Sequence, residues 1–444
     1  MTPCASTGSA TEAVTAAPAG VLYSRGLELK ETPVPGLPAA DPAELGFDAD
    51  RLARIGPAMQ RYIDDGKVPN LLTLVARHGK VAWFDARGRL DVDEHTPADE
   101  NTLFRMYSNT KPIAGTAIMV LFEEGKLTPD DSIGRYLPAY KKLRVQTADP
   151  AVTEKAHRGI TIRDCLTNTT GLATPASAPL AWRQQYSDVF ETLGWTGRGD
   201  TGGATVRQRV DAYAKLPLSH QPGTYFGYHM GYMAVGAVIE EVTGQSLESF
   251  FRERIFDPLK MDATGFYVRD GQEANLGSCY APREIDGEMR LNRVETGPDS
   301  EKVKGPKNFF AAGGDRGGVV STIGDYTRFG QMLLNGGELD GARIIGRKAV
   351  EYMTSNHTPG LDIPMTGPGF GWGLGVSVHT GDGGFPLLRS VGSYGWGGAA
   401  GTTYFGDPKE GIVAACFTQL LMAGAMPYND YQGEFQRLVY HALN

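Results

Sequence analysis

The chain has 444 residues, 41% of them hydrophobic and 21% charged, with 58 glycines and 27 prolines. That is the composition of a globular enzyme with a sizeable core, in one large domain or two interleaved ones. A net charge of −8 gives no electrostatic reason to expect nucleic acid or an anionic membrane as a partner, and no apolar run is long enough to span a bilayer.

Residues 1–40 read as a mobile arm and linker, ending in the proline cluster Pro33, Pro35 and Pro38. Met1 to Gly20 lacks the basic start and continuous apolar core of a secretory signal. Cys4, Cys165, Cys279 and Cys416 are scattered and form no CxxC pair, so they read as free thiols in a reducing, cytoplasmic setting. An amphipathic helix is expected over Leu45–Ile63, with Leu52, Ile55, Met59 and Ile63 on its apolar face. Leu71–Arg77 and Val81–Arg87 read as a hairpin joined at His78-Gly79-Lys80. A strongly apolar helix follows, from Pro112 to Glu124.

From about 126 to 300 the pattern is irregular, with short helices at Thr205–Ala214, Tyr232–Val242 and Leu247–Ile255 between Gly- and Pro-rich loops. Asp325–Asn335 and Arg347–Thr354 are further helices. Strands are expected at Gly373–His379, Leu387–Val391, Thr402–Phe405 and Gly411–Thr418, and a last helix over Asp430–Ala442. The pattern predicts an α/β (α+β) fold: a mixed, mainly antiparallel central sheet flanked by helices, with an inserted helical subdomain. The sheet domain would comprise 41–125 plus 300–444, and the insertion 126–299.

Ser108-Asn109-Thr110-Lys111 stands where the apolar helix begins. Proline is tolerated in the first helical turn, so Pro112 pins the start near Ser108. Residues three apart share a helix face, which sets Lys111 beside the Ser108 hydroxyl. A serine is a weak nucleophile until an adjacent base takes its proton, and a lysine serves only if burial depresses its pKa. The backbone N–H groups at a helix start can also stabilise an oxyanion. Ser-x-x-Lys is short, and an ordinary solvated first turn would read the same way.

Other chemistries lack their residues. The eight histidines show no metal-ligand spacing, and no metal is expected. Gly-x-Ser-x-Gly, Gly-x-Gly-x-x-Gly after a strand, and a P-loop are all absent.

Several segments together resemble a known family. Residues 103–126, LFRMYSNTKPIAGTAIMVLFEEGK, are similar to the Ser-x-x-Lys region of the serine β-lactamase and penicillin-binding superfamily, most of all its class C branch and the family VIII carboxylesterases. Residues 161–172, TIRDCLTNTTGL, resemble that branch's "TIRDLLTHTSGL" segment, with Asn168 where the family often has His. Residues 221–261 and 313–337 resemble its "PGT…Y…G…VTG…PLGM" and "GGGGLVSTxxDYxRF…LLNGG" segments.

The resemblance implies the β-lactamase/transpeptidase-like fold and a second catalytic residue, Tyr228, which shares the proton work with Lys111. A neighbouring ammonium would lower its phenol from an ordinary pKa of about 10. Tyr225 and Tyr232 are the alternates. The chain departs from the family at Tyr228-His229-Met230, which lacks the Tyr-x-Asn amide of β-lactamases; His229 is read as a residue lining the site. There is no Lys-Thr-Gly. Trp396-Gly397-Gly398 takes its place, as in the Trp-x-Gly form of the esterases, and would bind substrate. The N–H groups of Ser108 and Ala399 would form the oxyanion hole.

The implied activity is a serine carboxylesterase acting on neutral, short-chain esters through an acyl-enzyme on Ser108, with no cofactor and a small-molecule ester as its partner. A β-lactamase, D-amino-acid peptidase or acyltransferase using the same serine is the alternative, and a non-catalytic acyl-binding sensor a remote one. The pocket walls would come from about 175–200 and 265–310, with Tyr186, Trp195 and Phe309 as lining candidates.

Overall fold

The two ends of the chain build one sheet. The structure, a computed structural model, describes residues 35–149, 152–196, 199–200, 204–305, 311–383 and 388–444. Most of the predicted arm, Cys4 and Phe309 lie outside these residues, as does the side chain of Trp195. Strands β1 (Asn70–Arg77) and β2 (Lys80–Gly88) come from the N-terminal side. The C-terminal side gives β3 (Phe370–Trp372), β4 (Ser377–His379), β5 (Tyr394–Gly397), β6 (Thr403–Asp407) and β7 (Ile412–Phe417). The order is β3-β4-β5-β6-β7-β1-β2, and each neighbouring pair is antiparallel. The ends meet at β7 and β1, where Leu72 lies opposite Phe417 and Arg77 opposite Ile412.

Alternate residues of these central strands enter two separate cores, as the two-residue period requires. Leu72, Leu74, Ala415 and Phe417 face one side, with helices α2 (Thr110–Glu123), α3 (Gly231–Thr243) and α4 (Ile323–Leu334) in the same core. Leu71, Val75, Ala414 and Cys416 face the other, with α1 (Ile55–Asp64) and α5 (Tyr431–His441). Because β1 and β7 are covered on both faces, they read as continuous apolar runs. Cys165, Cys279 and Cys416 are buried free thiols. Among the described residues no side-chain group could hold a metal ion, and no helix is long and apolar enough to cross a membrane.

Four expectations change. The first helix is two pieces, Ala49–Leu52 and Ile55–Asp64. Pro57 has no N–H to give the Ala53 carbonyl, so the ladder breaks there. Gly373–His379 is likewise divided between β3 and β4. Gly375 turns between them at φ 99°, where a Cβ would lie 2.5 Å from the Lys111 carbonyl oxygen, so the turn rests on the start of α2. The described part of Leu387–Val391 is not a strand; the partner of β6 is β5, in glycine-rich sequence. The irregular middle also contains a hairpin, Cys279–Ile285 with Glu288–Glu295.

Candidate active site

Tyr107–Asn109 form a 3₁₀ turn that leads directly into α2. Pro112 is the third residue of α2, where a missing N–H costs nothing. Lys111 is fully buried, and its Nζ lies 3.0 Å from Ser108 Oγ. The amine also donates to the Gly313 carbonyl and lies 3.0 Å from His229 Nδ1. Its Nζ sits 4.6 Å from the Tyr228 ring centre and 5.0 Å from that of Tyr232. Burial lowers the Lys111 pKa to about 7, against the upward pull of the Asp315 carboxylate. The tetrad therefore has the geometry that its spacing predicts, and burial lowers the amine's pKa.

Tyr228 is the tyrosine brought beside Ser108, close enough for the serine hydroxyl to act on its phenol. The same hydroxyl accepts from Trp396 Nε1 at 2.8 Å. The alternates point elsewhere: Tyr225 is half exposed and stacks on His220 at 4.1 Å, and the Tyr232 hydroxyl donates to the Leu166 carbonyl. Burial raises the Tyr228 pKa, with the Ser108 and Trp396 hydrogen bonds opposing it. This reverses the expected lowering, because the site desolvates a phenolate more than its surroundings stabilise one.

Aromatic rings enclose Tyr228. Trp372 is fully buried, meets Trp396 edge-on at 4.4 Å and packs against Phe226 at 5.4 Å. Trp396 is partly exposed, so it offers an apolar face and spends its N–H on Tyr228. Gly397 and Gly398 lie at the end of β5. A Cβ on Gly398 would be 2.4 Å from the Met106 carbonyl oxygen, so the strand end closes tightly on the serine turn. Asn109 Nδ2 reinforces this by donating to Thr402 Oγ1 at 3.1 Å. Ala399 follows directly on this docked segment.

His229 is not simply a lining residue. Its Nδ1 meets Lys111 and its Nε2 lies 2.9 Å from Asp315 Oδ1. Its backbone is left-handed, at φ 88°, and its N–H donates to Asn168 Oδ1 at 2.8 Å. Burial pushes the Asp315 carboxyl up, but His229 and Lys111 bring it below the ordinary carboxylate value. Asp315, Trp372 and Gly313 are absent from the sequence reading. A lone Asp between the pairs Gly313-Gly314 and Gly317-Gly318 is the one local signal for Asp315. Tyr186 is a core residue whose hydroxyl donates to the Pro217 carbonyl, not a pocket wall.

Comparison with known proteins points to one family. The family model described as Beta-lactamase matches residues 55–433. Protein Rv1367c of Mycobacterium tuberculosis is 31% identical over 371 residues, covering 80% of this chain and 87% of the relative. Esterase EstB of Burkholderia gladioli is 25% identical over 398 residues, covering 86% and 94%. Among solved structures, EstCE1, described as a hydrolase with promiscuous acyltransferase activity, matches with a TM-score of 0.72 and 26% identity, covering 88% of this chain and 99% of that one. With this sheet, this helix-borne Ser-x-x-Lys turn and a family match across most of its length, the chain belongs to the beta-lactamase family.

Proposed function

We propose that the protein is a serine carboxylesterase that hydrolyses neutral, short-chain esters through an acyl-enzyme on Ser108. The observation that carries this reading is the fully buried Lys111 amine, 3.0 Å from Ser108 Oγ and titrating near neutrality. At pH 7 a large share of such an amine is uncharged and can take the serine proton as Oγ attacks the carbonyl. The backbone N–H groups of Ser108 and Ala399 then hold the oxyanion. Tyr228 stays a neutral phenol and passes a proton between Lys111 and the departing alcohol. Water repeats the sequence to release the acid.

The ester preference rests on Trp396. A neutral indole stands where the β-lactamase pattern has a cation, so no lysine awaits a substrate carboxylate there. Trp396, backed by the buried rings of Trp372 and Phe226, gives the Tyr228 side an aromatic face suited to an alkyl or aryl group. The esterase name of the Burkholderia relative supports the same class.

Initial rates on p-nitrophenyl butyrate and a chromogenic cephalosporin, for wild type and Ser108→Ala, test the proposal. Ester cleavage lost in Ser108→Ala, with little cephalosporin turnover, is the expected result. Cephalosporin turnover at a comparable rate would make the protein a β-lactamase. Adding a primary alcohol to the same assay reads any acyl transfer.

A further inference from the structure

We propose that His229 and Asp315 form a positioning dyad that aims the lone pair of the Lys111 amine at Ser108. The inference rests on the serine-hydrolase reading of the site and assigns to this chain two groups that act on the base, not on the substrate.

The argument is a count of hydrogens. An ionised carboxylate only accepts, so Asp315 Oδ1, 2.9 Å from His229 Nε2, fixes the proton on that nitrogen. His229 Nδ1 is then an acceptor, and it lies 3.0 Å from Lys111 Nζ. The Gly313 carbonyl is a second acceptor for the same amine. A neutral amine has two hydrogens and one lone pair. With both hydrogens committed to His229 Nδ1 and the Gly313 oxygen, the lone pair is left for the third neighbour, Ser108 Oγ, at 3.0 Å. Without the histidine the amine can rotate and offer a hydrogen where the lone pair is needed.

The backbone is arranged to hold this pose. His229 is left-handed at φ 88°, an unfavourable conformation for a residue with a Cβ. Asn168 pins it from both sides: its Oδ1 takes the His229 N–H at 2.8 Å and its carbonyl takes the Gly227 N–H at 2.7 Å. The imidazole lies close against the glycine loop, since a Cβ on Gly313 would be 3.1 Å from His229 Cε1 and 3.0 Å from Tyr232 Cβ. Among the described residues Asp315 Oδ2 has no hydrogen-bond partner, so His229, through Oδ1, is the side chain that holds this buried carboxylate.

The titratable groups facing Lys111 are Asp315, His229, Tyr228 and Tyr232, and those facing His229 are Lys111, Asp315 and Tyr228. The Asp315 charge raises the Lys111 pKa. Removing it must therefore move the acid limb of the reaction to lower pH, while the loss of orientation lowers the plateau. A merely structural role would not couple those two changes.

The experiment has two arms. Kinetics of p-nitrophenyl butyrate cleavage from pH 5 to 9 compare wild type, His229→Asn and Asp315→Asn. Asparagine tolerates the left-handed backbone but is too short to span Lys111 and Asp315. His229→Asn should lose roughly 10²-fold in kcat with KM little changed, the low end of what a general base supplies. Asp315→Asn should lose plateau rate and shift its acid limb downward. The second arm needs no substrate: ¹⁵N spectra of histidine-labelled resting enzyme should show His229 protonated at Nε2, and ¹³C-labelled lysine should titrate lower in Asp315→Asn than in wild type. A raised KM at unchanged kcat in His229→Asn would make His229 a substrate contact and overturn the proposal, as would a proton on Nδ1 or an unmoved Lys111 titration. If wild type cleaves no ester, the functional reading fails, and the spectra still decide the dyad.

Discussion

Burial and basicity are one requirement for Lys111. A solvated lysine near pKa 10.4 stays charged at pH 7 and cannot accept a proton; desolvation, partly offset by the Asp315 carboxylate, brings it to about 7. The ester kcat/KM should therefore climb as pH rises toward about 7 and level off above it, read from a pH–rate profile. A flat profile across pH 5 to 8 would remove Lys111 as the base. Lys111→Arg keeps the charge but cannot deprotonate, so its rate should fall by roughly 10³-fold or more. Trp396→Phe keeps the aromatic wall and removes one hydrogen bond, 2.8 Å to the Tyr228 hydroxyl. Such a bond is worth about 1 kcal/mol, so kcat should fall about fivefold with KM nearly unchanged. A large rise in KM instead would mean that Trp396 acts mainly on substrate. Ser108 and Lys111 were legible because three-residue spacing is local geometry. Tyr228 needed the family pattern, and Asp315 was invisible because it meets His229 and Lys111 only after the distant glycine loop folds back.

At the scale of elements, glycines decide how closely the pieces of the site approach, and they also hid one of those pieces. Strand β5 reads Tyr-Gly-Trp-Gly, too short and glycine-rich to stand out as a strand, yet Gly398 just beyond it is what lets the strand end reach the serine turn. Gly398→Ala would put a Cβ 2.4 Å from the Met106 carbonyl oxygen and from Thr402 Oγ1. The backbone oxygen cannot swing aside, so the segment carrying Ala399 must retreat from Ser108. Under the proposed role of the Ala399 N–H, losing one oxyanion donor costs about 10²–10³ in rate, and kcat should drop by that order. An unaffected kcat would detach this strand end from the chemistry. The hairpin Cys279–Glu295 escaped detection for another reason: its strands are largely exposed and charged, with Pro282 inside the first, so no apolar period marks them. Asp286-Gly287, both left-handed at φ 55° and 80°, is the turn signal that was there to be read. The apolar runs β1, β7 and α2 were legible because full burial leaves an unambiguous composition.

Across the whole molecule, the glycine loop that carries Asp315 is tied to the segment around Phe266 by a second buried lysine. Lys302 Nζ donates to the Phe266 carbonyl at 3.0 Å and to that of Gly318, just after Asp315. Desolvation, aided by Arg105, lowers its pKa to about 7. Unfolded, it returns to about 10.4. Between those values the unfolded chain binds more protons than the folded one, so the Lys302 contribution to stability grows as pH rises, at about 1.4 kcal/mol per unit. Lys302→Met loses that dependence and strands two carbonyls. Urea unfolding of wild type and Lys302→Met at pH 6, 7, 8 and 9 isolates the effect, because the buried tyrosines, the thiols and Lys111 are common to both and cancel in the difference. The stability gap should be nearly constant below pH 7 and widen by about 1.4 kcal/mol per unit from pH 7 to 9. A gap independent of pH would mean that Lys302 is not held near neutrality by burial. A widening gap would show that the loop carrying Gly313 and Asp315 is held by an amine that is neutral over the same pH range in which Lys111 becomes a base.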